Sequence, residues 1–246
     1  MRILYNNRVD DFTLTPSTED PNFVASELSD TRLANTWRTT AITAQTIVID
    51  AAVAISCDSI AIAAHNFTAS ATIKIQAATA DSWGAPPLDE TITYRSGIMV
   101  LYFTSSSYRY WRFYFDDTTN TNSYLEVGRL FLGEYLQFDP SSIYEFPEER
   151  ARDDVTQFSP GNQMYVDKGV QYKRYKYSFP ATGDTMKASM DAVYTEVGKF
   201  KPFFFMNFDT TYTVIEPIYA VLENNLTWNK IQVNKWDYSL TVREVG

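Results

Sequence analysis

Short blocks in which alternate residues are branched and aliphatic recur through the first half of this 246-residue chain. Three blocks carry isoleucines at i and i+2: Ile47 and Ile49, Ile60 and Ile62, Ile73 and Ile75. Because successive side chains of a strand point to opposite faces, this spacing predicts strands that each bury one face. Turn-forming stretches separate the blocks. The first half is therefore predicted to form roughly eight strands in an antiparallel β-sandwich.

The second half of the chain has a different residue pattern. A tyrosine-rich strand is predicted over residues 170–179, and apolar residues then recur at helical spacing as far as Gly198. We expect a helix at about residues 184–198 with Asp184 as its N-cap, followed by strands near 202–208, 211–222 and 231–244. The fold class is therefore mainly β: an N-terminal sandwich over 1–135, an extended connector over 136–152, and a β-rich α+β unit with one helix over 153–246.

Charge and composition exclude several classes of function. The formal net charge is −9, so the surface repels phosphate backbones and general nucleic-acid binding is not expected. The first residues lack the apolar core of a signal peptide, and no apolar run is long enough to span a membrane. These features predict a protein made in a cytoplasm. Cys57, the only cysteine, is expected to be a small buried side chain.

Blocks between residues 22 and 134 occur in a recognisable order. They are residues 25–30, Thr36-Trp37-Arg38, and residues 47–50, 59–62, 110–115 and 127–133. In this order they resemble a galactose-binding-like, or discoidin-type, β-sandwich domain of jelly-roll type. The resemblance implies a domain that binds a ligand and does not transform it.

The second half carries a different resemblance. Its tyrosine-rich strand before Pro180, the helix ending at Val197-Gly198, the run Phe203-Phe204-Phe205 and the final segment 236–245 are similar to the C-terminal part of tail proteins of long-tailed bacteriophages. That likeness implies a virion component of the tail tip or baseplate, made in the host cytoplasm. Its expected partners are other copies of itself and other phage tail proteins.

Four residues are candidates for contacting a ligand. Trp83 stands in a turn-rich loop, where an aromatic ring is free to meet a sugar. His65 and Asn66 follow an apolar strand, and Arg38 follows Trp37. The alternatives are structural: Trp83 and Trp37 as packing residues, His65 as a turn residue bonded to nearby backbone, and Arg38 as a loop support.

Metal and catalytic chemistry have few candidates. In some discoidin-type domains the loop that corresponds to Asp30 and Thr36 binds a structural calcium, although Thr31 here replaces the expected glycine. No other cofactor is expected. With one histidine and no nucleophile or phosphate-loop motif, no catalytic residue is assigned. Adjacent carboxylates such as Asp116-Asp117 are predicted to be solvated surface pairs.

Three functions follow from these observations. The leading hypothesis is a non-catalytic structural component of a phage tail tip or baseplate that assembles as a homo-oligomer. The alternative is a carbohydrate-binding module that attaches the particle to a host surface glycan. A glycan hydrolase is the remote alternative.

Overall fold

The computed structural model describes residues 1–140, 147–206 and 217–245. These residues form two compact units. The sandwich unit comprises Arg2–Leu136 and the described part of Phe204–Ile218. The second unit comprises Met1, the described part of Gln137–Phe203, and Tyr219–Val245. Residues 141–146 of the expected connector lie outside the described residues, whereas Glu148–Arg152 forms a strand of the second unit. The domain boundaries at 135 and 152 stay a prediction.

The strands and helix have the following bounds. In the sandwich unit the strands are β1 (Arg2–Leu4), β2 (Leu14–Pro16), β3 (Trp37–Arg38), β4 (Gln45–His65), β5 (Thr72–Ala78), β6 (Leu88–Thr91), β7 (Met99–Asp116) and β8 (Glu126–Gly133). Two 3-10 helices cover Arg8–Asp11 and Ala25–Ser29. The later strands are β9 (Tyr135–Gln137), β10 (Glu148–Arg152), β11 (Val155–Phe158), β12 (Met164–Asp167), β13 (Gln171–Gly183), β14 (Phe203–Met206), β15 (Ile218–Leu222), β16 (Asn229–Gln232) and β17 (Lys235–Glu244), with the helix α1 (Asp184–Val197) between β13 and β14.

Two long strands, β4 and β7, build both layers of the sandwich. The start of β4 pairs with β2 and with the end of β7, and β5 and β6 extend that layer. The end of β4 pairs with the start of β7 and with β8, which also pairs with β3. The pairing of β4 with β7 shifts register between Asp50 and Ile55 and again between Cys57 and Ser59. Such bulges bend a strand, which lets one strand pass from one layer to the other.

The isoleucine pairs line a single core between these layers. Ile47, Ile49, Ile60, Ile62 and Ile73 are all fully buried, as is Ile75. Burying such a side chain contributes roughly 1.5–3 kcal/mol relative to leaving it exposed. Trp37 and the alternate residues Trp111, Phe113 and Phe115 of β7 fill the remaining space. The predicted antiparallel sandwich is confirmed.

The second unit is β-rich with one helix in its described part, as predicted. Its sheet has the order β10-β13-β17-β15, and β16 also pairs with β17. The helix α1 buries Met190, Val193 and Val197 and ends at Gly198, whose φ of +51° suits glycine. The expected cap is wrong, because Gly183 is the N-cap and Asp184 is the first helical residue. The Asp184 carboxylate instead accepts a hydrogen bond from Trp236 Nε1 at 2.7 Å.

The last predicted strands differ in detail from the observed ones. The strand near 202–208 is β14, and the part of the next strand over 211–216 lies outside the described residues. The single strand expected over 231–244 is instead a hairpin of β16 and β17. Asn234 makes this turn with a φ of +55°, a conformation that asparagine tolerates.

No helix in the described parts of the chain has the length and hydropathy that a bilayer-spanning segment needs.

Candidate functional site

Arg38 and Thr36 meet at one end of the sandwich through Glu126. Arg38 donates from Nη2 to Glu126 Oε1 at 3.3 Å, and its guanidinium carbon lies 3.6 Å from the centre of the Phe23 ring. Thr36 Oγ1 donates to the same carboxylate oxygen at 2.7 Å. Strands β3 and β8 pair here, which places the three residues side by side. Arg38 is thus held by a carboxylate and an aromatic ring of its own chain.

His65 and Asn66 lie at the same end, where β4 finishes. The Asn66 amide donates to Tyr124 O at 3.0 Å, and its oxygen accepts from Glu126 N at 2.8 Å. His65 Nδ1 accepts from the Phe67 amide at 3.3 Å, and Nε2 lies 3.0 Å from the carbonyl oxygen of Gly97. Because Nδ1 accepts a hydrogen bond, it carries no proton. The contact of Nε2 with a carbonyl oxygen needs a proton on Nε2, so the ring has one proton and is neutral. Burial lowers the pKa of His65, in agreement with this neutral form.

Hydrogen bonds within the chain therefore occupy the side-chain groups of both residues. A ligand at this end would have to displace bonds that hold the β4 and β8 ends together. The ligand-binding role of Arg38, His65 and Asn66 stays a prediction.

The surroundings of Asp30 do not fit calcium. Arg32 donates to both carboxylate oxygens of Asp30, at 3.1 Å and 2.6 Å, and the Asn35 amide donates at 2.9 Å. These hydrogen bonds hold the pKa of Asp30 well below its usual range. Because the backbone N–H of Arg32 donates as well, at 2.8 Å, a cation would have to replace four N–H donors, and Thr36 donates to Glu126 instead. In the described residues no group of three or more His, Cys, Asp or Glu side chains is placed to hold a metal.

A second polar surface lies on the outer face of the layer that contains β5, β6 and the end of β7. Trp111 and Phe113 point into the core, so Arg112 points outward between them. The Arg112 guanidinium carbon lies 4.4 Å from the centre of the Trp83 ring. Its Nε donates to Gln76 Oε1 at 2.8 Å across the β5–β7 pair.

Asp89 extends this surface onto β6. Its carboxylate accepts from Gln76 Nε2 at 3.1 Å and from Lys74 Nζ at 3.1 Å. We name the surface formed by Trp83, Arg112, Gln76, Lys74 and Asp89 the Trp83 platform. Beside it is an open depression of about 360 Å³. The depression is lined by Pro86, Pro87, Leu88, Asp89, Glu90, Thr104 and Ser106.

One hydrogen bond within the loop and one contact from β7 orient the Trp83 ring. Its Nε1 donates to Asp81 Oδ1 at 2.6 Å, while Arg112 packs against the ring. The indole is only partly covered by the chain. Trp83 therefore presents an oriented aromatic surface next to the guanidinium of Arg112.

Arg112 makes no direct ion pair among the described residues, although Asp81 and Asp89 are near enough to favour its charge. Burial lowers the pKa of Arg112, although an arginine remains protonated near neutral pH. Among the described residues, no carboxylate oxygen lies within ion-pair distance of its guanidinium. Among the described residues, the hydrogen bonds from the Arg112 guanidinium go to Gln76 Oε1 alone. Arg112 can therefore offer further N–H donors to a ligand.

Of the four residues predicted to contact a ligand, Arg38, His65 and Asn66 lie together at the strand ends, and Trp83 lies on the platform. Sequence reasoning missed Arg112, Gln76 and Asp89. The signal for Arg112 was present, because it occupies an outward position in the alternating block 110–115. Gln76 and Asp89 join it only through strand pairing.

Among the solved structures with a similar backbone are three carbohydrate-binding modules, each of which matches about half of this chain. Chitosan-binding module 1 of a chitosanase/glucanase from Paenibacillus sp. IK-5 is 19% identical, with a TM-score of 0.41, over 52% of this chain and 98% of that one. The family 32 module of NanJ from C. perfringens, solved with galactose, is 14% identical, with a TM-score of 0.43, over 55% and 100%. A fucose-binding module of Streptococcus pneumoniae is 14% identical, with a TM-score of 0.43, over 52% and 95%. No protein-family model matches the sequence, and no curated protein matches it.

Proposed function

We propose that this protein binds carbohydrate, without catalysis, through the Trp83 platform of its sandwich unit. The observation that carries the proposal is the partly exposed Trp83 ring, which the Asp81 carboxylate orients and against which the Arg112 guanidinium packs. The apolar face of a sugar ring packs on a flat aromatic ring. The Arg112 guanidinium supplies donors and the exposed Asp89 carboxylate supplies acceptors for its hydroxyls.

The platform is favoured over the strand ends because of Arg112, since Gln76, Lys74 and Asp89 already bond within the platform. Arg112 keeps donors for a ligand, whereas His65 and Asn66 use their side-chain nitrogens and oxygen on backbone groups. Binding at the platform would also leave the strand pairing of the sandwich intact. The depression beside Asp89 gives a ligand room for more than one sugar ring.

The test is a glycan array probed with the full chain, followed by calorimetry on the sugars that bind. The array includes galactose, fucose and chitotriose beside uronic-acid oligosaccharides. Trp83→Ala and Arg112→Ala are each expected to weaken binding by about tenfold or more, the effect of losing a central contact. Arg109→Ala is the matched control, because it removes the same charge from the same strand at an exposed pair with Asp50. Its affinity is expected to stay unchanged.

The proposal fails if no glycan binds. It also fails if Arg109→Ala weakens binding as much as Arg112→Ala does. If Arg38→Ala abolishes binding and Trp83→Ala does not, the ligand lies at the strand ends and not on the platform.

A second candidate function is a structural role in a phage tail tip or baseplate, in contact with other tail proteins. The observation that favours it is a hairpin of the second unit, β11 with β12, whose residues are all exposed and include Phe158, Met164 and Tyr165. Exposed apolar surface of this kind is typical of proteins that function in assemblies. Immunogold labelling of purified phage particles would test the location. Absence of label from the tails of particles that contain this chain would exclude it.

A further inference from the structure

Tyr114 follows Arg112 on the outer face of β7, beside the Trp83 platform. Because Phe113 is buried in the core, Arg112 and Tyr114 lie on the opposite face of the strand. The Arg112 guanidinium carbon lies 4.4 Å from the centre of the Trp83 ring and 6.0 Å from the centre of the Tyr114 ring. Both distances fall within the range of cation–π contacts. One arginine is therefore close to two aromatic rings.

Both rings are held in place and are only partly covered by the chain. Trp83 Nε1 donates to Asp81 Oδ1 at 2.6 Å. Tyr114 Oη donates to Asp116 Oδ2 at 3.2 Å. Along an antiparallel strand, the Cα atom of Tyr114 lies roughly 6.8 Å from that of Arg112. A glycan that starts on the Trp83 ring and extends along β7 therefore meets the Tyr114 ring.

A hydroxyl group that is free to bind a ligand lies beside the Tyr114 ring. Thr46 of β4 is directly opposite Tyr114 of β7, so both side chains lie on the same outer face. Thr46 is partly exposed, and its Oγ1 makes no hydrogen bond among the described residues. A hydroxyl both donates and accepts, as the hydroxyls of a sugar do. Tyr114 and Thr46 together therefore offer a ring surface and a hydrogen-bonding group to a second sugar.

The charged side chains next to the two rings do not favour an acidic ligand. Lys74 pairs with Asp89 at 3.1 Å, and Asp81 lies near Arg112. The Asp116 carboxylate has no cation within ion-pair distance among the described residues. Because these three carboxylates outnumber the two cations, a neutral glycan suits this surface better than an acidic one.

The depression beside Asp89 has room for a sugar but no ring for it to pack on. Its lining contains no aromatic side chain and includes two carboxylates, those of Asp89 and Glu90. The path along β7 provides a second ring and the Thr46 hydroxyl. The direction along β7 is therefore the better path for a longer glycan.

We propose that the ligand of the Trp83 platform is a neutral oligosaccharide that extends along β7, with one sugar packed on Trp83 and another on Tyr114. The Thr46 hydroxyl binds the sugar on Tyr114, and Arg112 donates to glycan hydroxyls near both rings. This inference rests on the proposed carbohydrate binding. It adds the charge class of the glycan, its direction on the sheet and a second contact residue.

Calorimetry with the full chain measures how affinity depends on glycan length. The probes are glucose, N-acetylglucosamine and galactose with their β-1,4-linked oligomers of two to four units, and oligomers of galacturonic acid as the acidic counterpart. Affinity for at least one neutral series is expected to rise about tenfold or more with length, because a second ring contact is gained. The acidic series is expected to bind more weakly.

Tyr114→Ala is expected to remove this rise with length. Its affinity for the single sugar, measured by ligand-observed NMR, is expected to equal that of wild type, which also shows that the variant is folded. Tyr114→Phe keeps the ring and is expected to keep the rise. Tyr165→Ala is the matched control, because Tyr165 is a tyrosine that is 60% exposed in the second unit. It is expected to bind every probe like wild type.

Three results would overturn the inference and leave the carbohydrate binding standing: an affinity that does not rise with length, tighter binding of the acidic series, or a Tyr114→Ala variant that binds the oligomers like wild type. If Thr104→Ala weakens binding of the oligomers and Tyr114→Ala does not, the glycan enters the depression instead. If no glycan binds the full chain, the proposed carbohydrate binding itself is wrong, and this inference with it.

Discussion

Asp117 is predicted to be a principal stabilising residue of the sandwich, although it stands next to an ordinary surface carboxylate. It is fully buried just after β7. Its oxygens accept from Thr68 N at 2.7 Å and from Thr68 Oγ1 at 2.6 Å. Thr119 Oγ1 and Asn120 Nδ2 donate to it as well, at 3.1 Å and 3.4 Å. The carboxylate thereby ties the loop after β4 to the loop after β7.

The cost of changing Asp117 follows from these bonds. Asp117→Asn keeps one acceptor oxygen and replaces the other with an N–H donor, so one charge-assisted bond to Thr68 is lost. Such a bond contributes about 1.5–3 kcal/mol, and the free energy of unfolding should fall by that amount. Asp117→Ala leaves both Thr68 donors unpaired and should cost about 3–5 kcal/mol. Asp116→Asn is the control. Among the described residues the Asp116 side chain accepts from Tyr114 Oη alone, at 3.2 Å, so this change should cost less than about 0.5 kcal/mol.

The same site gives a pH dependence with a definite sign. Burial raises the pKa of Asp117, but the hydrogen bonds from Thr68 outweigh it, so the pKa lies below its ordinary value. A lowered folded-state pKa means that the contribution is fully present above the unfolded pKa of about 4 and is lost as the pH falls through the folded value. The stability difference between wild type and Asp117→Asn should therefore shrink below about pH 4.

Urea unfolding followed by tryptophan fluorescence, at neutral pH and again in acid, measures both effects. Because Asp117 lies in the sandwich unit, the unfolding transition that shifts in the Asp117 variants is the transition of that unit. Equal stability of Asp117→Asn and Asp116→Asn at neutral pH would refute the reasoning. A difference between wild type and Asp117→Asn that stays constant into acid would refute the assigned role of the ionised carboxylate.

Three further predictions concern the sandwich core. Arg129 is 2% exposed and pairs with Asp10 at 2.7 Å, so Asp10→Ala should lower the free energy of unfolding by about 3–5 kcal/mol in the same urea assay. In Gly128→Ala, the new Cβ would lie 2.5 Å from the backbone oxygen of Leu33; a shift of backbone is then required, and calorimetry should show a lower melting temperature. Cys57 is fully buried and burial raises the pKa of its thiol, so a maleimide should label it only after unfolding.

The structure also corrects how the carboxylate pairs were interpreted. Adjacent carboxylates in turns were predicted to be solvated, and for Asp117 that prediction is wrong. The local sequence predicts the same solvent exposure for Asp116 and Asp117. The difference arises because the loop that holds Thr68 closes over one of them and not the other. That closure depends on a contact between residues 49 positions apart.

The alternation of apolar residues was enough to predict the sandwich and the burial of the isoleucine pairs, and apolar residues at helical spacing predicted the helix near 184–198. It works because burial on one face of a strand imposes a period of two on the residues themselves. Tertiary structure alone assembled the Trp83 platform, since Arg112, Gln76 and Asp89 come from three strands that meet only by pairing across the sheet. Tertiary structure also decided which polar side chains are already occupied: His65 and Asn66 could be chosen as candidates from sequence, but their partners lie on loops distant in the chain. A sequence pattern predicts which face of a strand each side chain lies on. The hydrogen-bond partners of a polar side chain are decided only when the strands pair.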